Sequence, residues 1–123
     1  RDALRPLEER GDLRLPIVPD DCETNYHMFY VLLESEPVRA ALIRHLRDAG
    51  ILAVFHYVSL HASPIGQSLG YRAGMLPVTE DTSDRLLRLP MYFDLPDDRI
   101  DDVIAAIFGF FGAARGPEGG CGG

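Results

Sequence analysis

Apolar residues along this chain follow two rhythms. In "SEPVRAALIRHLRDAG", residues 35–50, Val38, Ala41, Leu42, His45, Leu46 and Ala49 recur at intervals of three and four and share one helical face. Pro37 suits the first turn, Ser35 or Glu36 the cap, and Gly50 the stop. "PDDRIDDVIAAIFGFF", residues 96–111, repeats the pattern with Ile100, Val103, Ile104, Ile107 and Phe111. Asp97 and Asp98 there favour the positive helix start. "YHMFYVLL", residues 26–33, and "ILAVFHY", residues 51–57, are instead short continuous apolar runs, which predicts buried strands. These two are expected to be neighbours in one sheet. Both long helices should cover it, burying Leu42, Leu46, Ile100, Ile104 and Ile107.

The remaining segments are shorter. "RDALRPLEER" reads as a polar helical piece stopped by Gly11. "DLRLPIVPDDCETN" is a loop broken by Pro16 and Pro19, with a short strand at residues 13–15. "SPIGQSLGYRAGMLP" holds one helical turn and then loop. "TEDTSDRLLRLP" reads as a helix capped by Thr79 and ended by Pro90, and "LPMYFDL" as a third strand. "GAARGPEGGCGG", residues 112–123, is expected to be a disordered tail. The sum is one α+β domain in two layers, a small mostly antiparallel sheet with helices on one face.

Composition narrows what such a domain does. At 46% hydrophobic the chain can build a core, yet no apolar run approaches the ~20 residues of a membrane span. The first residues lack an apolar leader, so a cytoplasmic setting is expected. Cys22 and Cys121 lie far apart and form neither a disulfide framework nor a metal-ligand spacing. A net charge of -7 repels phosphate backbones, which argues against nucleic acid as a partner. All 12 basic residues are arginine, so no side chain can form a Schiff base.

Candidate chemistry concentrates in "AVFHYVSLHASPIG", residues 53–66, where His56, Tyr57 and His61 end an apolar run. A metal site lacks a clear third ligand. Acid–base catalysis suits a histidine, but no nucleophile stands out. Ligand contact suits a strand-end loop whose His and Tyr reach phosphate or sugar oxygens. The plain structural reading is that these residues close the strand. Elsewhere, Asp97, Asp98, Asp101 and Asp102 read as a solvated helix start. Gly66, Gly70 and Gly74 lack the strand-to-helix context of a phosphate loop.

Three pieces in order, "NYHMFYVLL", "LRDAGILAVFHYVSLHASPIG" and "LPVTEDTSDRLLRLPMYFDL", resemble the C-terminal small domain of the DegT/DnrJ/EryC1/StrS sugar aminotransferases. Within that family of fold type I pyridoxal phosphate enzymes, the likeness is to the dTDP-4-amino-4,6-dideoxygalactose transaminase type. The resemblance implies a small domain over residues 13–111, with residues 1–12 the remnant of an interdomain helix. It implies pyridoxal phosphate in the intact enzyme, with none held by this chain. The large domain would be absent, and with it the Schiff-base lysine, so the chain alone would be inert. The parent would be a homodimer moving an amino group from an amino acid, with glutamate the expected donor, to a dTDP-4-keto-6-deoxyhexose. His56, Tyr57 and His61 would then face the nucleotide-sugar, and Arg88 the carboxylate of the amino-acid donor. For Arg88 an exposed helix-end arginine is the plainer reading. The family loop H-Y-x-P-L-H here has Ser59 in place of proline. The rival reading is a free-standing, non-catalytic α+β module with a binding or regulatory role.

Overall fold

The computed structural model describes residues 1–114. The chain opens with a 3-10 turn at Asp2–Leu4 and helix α1, Arg5–Glu9, whose Leu4 and Leu7 are buried. Gly11, at φ +78°, turns the chain into β1, Leu13–Arg14. A long loop then leads to β2, Phe29–Leu33. This strand starts three residues later than the apolar run. Tyr26 sits at φ +52°, and the Asn25 side chain accepts the His27 N–H, so local turn chemistry takes residues 25–28 out of the sheet.

Helix α2, Glu36–Asp48, has proline in its first turn and ends before Gly50, which adopts φ +76°. Leu42 and Leu46 are fully buried on its inner face. His45, on the edge of that stripe, bonds the Ala106 carbonyl at 3.0 Å and packs on Phe110. β3 is only Val54–Phe55. A 3-10 turn, Leu60–Ala62, and the short helix α3, Pro64–Ser68, follow. Helix α4, Pro77–Arg85, passes directly into β4, Leu86–Leu89. Helix α5 spans Asp97–Ala114.

Three expectations about the sheet need correction. The helix read through to Pro90 stops at Arg85, because residues 86–89 pair as a strand on both sides. The strand read at "LPMYFDL" stops at Leu89, and Tyr92 and Phe93 stand in solvent. The sheet order is β1-β2-β4-β3, with every pairing antiparallel. The two apolar runs therefore flank β4 and do not touch as neighbours.

One face of the sheet carries Val31, Leu33, Leu87 and Leu89, which join Leu42 and Leu46 of α2 and Ile107 and Phe111 of α5 in the core. This is the small antiparallel α+β sheet with helices that the sequence pattern predicts. Ile104 is partly buried, but Ile100, in the first turn of α5, is 39% exposed and lines an open depression with Phe29 and Leu89. α5 also runs to Ala114, three residues into the segment expected to be disordered. The rest of that segment, with Cys121, lies outside the described residues.

Candidate functional site

β3 and β4 build the site. Antiparallel register places Arg88 between Tyr30 of β2 and Val54 of β3. Arg88 thus belongs to a central strand and not to a helix end. Alternation puts it on the face opposite Leu87, away from the core. Leu86 shares that face, and it lines a depression of about 530 Å³ with His56, Tyr57, Leu60, Val78 and Thr82. His56 and Leu86 therefore meet at this depression, which Arg88 does not line.

The chain turns sharply after His56. Tyr57 has φ +20°, a conformation L-residues seldom adopt, and its ring lies 5.0 Å from that of His56. Its side chain is exposed, whereas His56 is half-buried. The His56 Nδ1 atom is buried without a hydrogen-bond partner among the described residues. A buried ring nitrogen left unpaired calls for a ligand or water to satisfy it.

His61 stands apart from this pair. It is 7% exposed, and its Nε2 lies 2.7 Å from Glu80 Oε1. The same oxygen accepts the Gly74 N–H at 2.7 Å. The His61 hydrogen bond, followed by that of the Gly74 amide, holds the Glu80 carboxyl below its ordinary range, against partial desolvation. Nearby, Ser83 Oγ donates to the Tyr57 carbonyl at 2.8 Å, and Arg39 Nη1 donates to the Ser83 carbonyl at 2.9 Å. The Arg39 guanidinium lies 5.3 Å from the centre of the Phe55 ring. The structure thus brings His56 and Tyr57 to one depression, places Arg88 in the central strand on the face it shares with Leu86, and commits His61 to Glu80. Among the described residues no group of three or more His, Cys, Asp or Glu gathers as a metal site. No described helix is long and apolar enough to cross a membrane.

The model of the DegT/DnrJ/EryC1/StrS aminotransferase family matches residues 2–108. The chain belongs to that family. It is 36% identical over 108 residues to the dTDP-3-amino-3,4,6-trideoxy-alpha-D-glucose transaminase of Micromonospora megalomicea, covering 86% of this chain and 28% of that protein. It is 34% identical to the pleiotropic regulatory protein of Geobacillus stearothermophilus, covering 87% of this chain and 29% of that one. Among solved structures it resembles DesV of S. venezuelae, at TM-score 0.78 and 29% identity over 89% of this chain and 29% of that one. A DegT DnrJ EryC1 StrS aminotransferase from Brucella abortus has TM-score 0.74 and 29% identity, over 91% and 29% of the two chains. This aminotransferase-family chain therefore spans under a third of the length of these relatives.

Glu80 and Ser83 escaped the sequence reading. Each meets the loop from 19 and 26 residues away, so no local spacing marks it. Their one trace is their place in "TEDTSDRLLRLP", the third piece of the family pattern.

Proposed function

We propose that this chain is the C-terminal small domain of a pyridoxal phosphate-dependent nucleotide-sugar aminotransferase. The observation that carries the reading is the family match over residues 2–108, which takes in the loop, α4 and β4. The parent enzyme moves an amino group from an amino acid, glutamate by preference, to a dTDP-linked keto-deoxyhexose. The 4-keto-6-deoxyhexose is the substrate we favour. The Micromonospora relative is named for a 3-amino product, so the ring position is a point for assay. The parent works in the cytoplasm as a homodimer.

The chain's own side chains bind and orient. His56 Nδ1 is unpaired and buried, and Tyr57 carries an exposed phenol, so both offer hydrogen bonds to sugar or diphosphate oxygens. Arg88, in the central strand β4, suits the planar carboxylate of the donor. His61 serves the same ligand through the loop that it helps to hold. Pyridoxal phosphate would supply the electron sink for amino transfer. This chain does not fit it as a covalent carrier, because it contains no lysine. The cofactor belongs to the part of its relatives that this chain does not span, and the chain by itself is inert.

The test is a chimera in which residues 2–108 replace the matching segment of the Micromonospora transaminase. Glutamate-dependent amination of a dTDP-keto-deoxyhexose, read by mass spectrometry, should appear in the chimera and not in the chain alone. His56→Ala and Arg88→Ala should raise KM for sugar and donor respectively. A folded, cofactor-loaded chimera without activity would sink the reading. It would then favour a free-standing regulatory module, to which the name of the Geobacillus relative lends support.

A further inference from the structure

Helix α4 presents Glu80 and Ser83 three residues apart, hence on one helical face, and both reach the same loop. Ser83 grips one end, its hydroxyl donating to the Tyr57 carbonyl at 2.8 Å. Glu80 grips the other, its Oε1 taking His61 Nε2 and the Gly74 N–H, each at 2.7 Å. Between the grips, Val58 and Leu60 are exposed, so burial does little to hold this stretch. Tyr57 also sits at φ +20°, which the chain keeps only where its surroundings over-determine it.

The gripping helix is itself tied to the core. Arg39 of α2 donates to the Ser83 carbonyl at 2.9 Å, and Arg85 Nε donates to the Leu33 carbonyl of β2 at 2.7 Å. Ser83 is thus bonded at both its polar ends, to the loop through the hydroxyl and to α2 through the carbonyl. An incidental surface serine would not join two elements in this way.

We propose that Glu80 and Ser83 are positioning residues, through which α4 clamps residues 57–61 at two points and sets where His56 and Tyr57 stand. This rests on the reading that His56 and Tyr57 meet the ligand. Ser83 also lines the depression beside His56 and Tyr57, but the role proposed for it and for Glu80 is exerted through the loop backbone and through His61.

Amide hydrogen exchange on the whole chain, resolved by NMR, tests the clamp. Ser83→Ala should speed exchange at Ala62 and Ser63, and Glu80→Ala at Gly74, by about two- to tenfold. Val31 and Leu87 in the central ladder should keep their rates. Ser83→Thr and Glu80→Gln, which keep an oxygen in place, should restore the slow rates. If Glu80→Ala fails to fold, the Ser83 pair decides alone. Exchange in Ser83→Ala indistinguishable from wild type would overturn the clamp. In a second arm, dTDP-glucose is titrated as probe and followed at the His56 and Tyr57 resonances. Weaker binding in Ser83→Ala, restored in Ser83→Thr, is the expected result. A loosened loop with unchanged probe affinity overturns the positioning role. A loosened loop with no probe response in the wild type overturns the ligand reading and leaves the clamp standing.

Discussion

Glu80 Oε1 accepts two hydrogen bonds at once, and one of them comes from a histidine buried in the loop. A carboxyl held below its ordinary value stabilises the fold above its unfolded pKa, near ~4.3, and loses that contribution as pH falls through the lowered folded value. The stability advantage of wild type over Glu80→Gln should therefore be full near neutral pH and shrink in acid below about pH 4. Thermal melts of both proteins from pH 7 to pH 3 check it, and a constant difference across that range would count against the linkage. His56 and Tyr57 were legible as candidates because a His-Tyr pair at the end of an apolar run is a local signal. Their consequence for His61 was not legible, since its partner lies on another helix.

At the scale of elements, α2 and α5 were readable because a 3.6-residue period survives over three or more turns. β4 was not. Leu86, Leu87 and Leu89 follow a helix without any intervening Gly or Pro, and they suit either conformation. Pairing with β2 and β3 decides for the strand, so tertiary context overrides local pattern. The burial read from α2 gives a direct test. Leu42 is fully enclosed, and Leu42→Ala should cost ~2–5 kcal/mol in urea denaturation. The site loop has its own packing constraint at Gly66. A Cβ there would meet the His61 carbonyl oxygen at 2.7 Å and the Leu60 carbonyl closer still. Those are backbone atoms, which cannot swing aside. Gly66→Ala should cost about 1–3 kcal/mol and disturb His56 and Tyr57 resonances while leaving those of Val31 and Leu87 in place.

Taken whole, the molecule leaves much apolar surface bare, part of it around the site loop. Tyr57, Leu60, Ile65 and Leu69, in the site loop and around α3, are 72%, 81%, 66% and 71% exposed. Large exposed patches of this kind attract partners. The chain by itself should therefore self-associate, and Leu60→Asp should shift it toward monomer in light scattering. A wild type that stays monomeric at high concentration would argue against this. The strand order has a further consequence, for how the molecule reaches its native state. β2 and β4 form the centre of the sheet, and their ladder joins Phe29 to Leu89 and Leu32 to Leu86. The chain must bring together segments about 55–60 residues apart before its central pairing yields any return, and such closure makes the search slow. α2, β3, the site loop and α4 all lie inside that closed circuit. Leu87→Ala should then slow refolding more than it speeds unfolding, whereas Gly66→Ala should mainly speed unfolding, in stopped-flow chevrons. Any process that keeps β4 from β2, such as synthesis paused before residue 86, leaves α4 and the site loop without the central strand that closes the circuit around them.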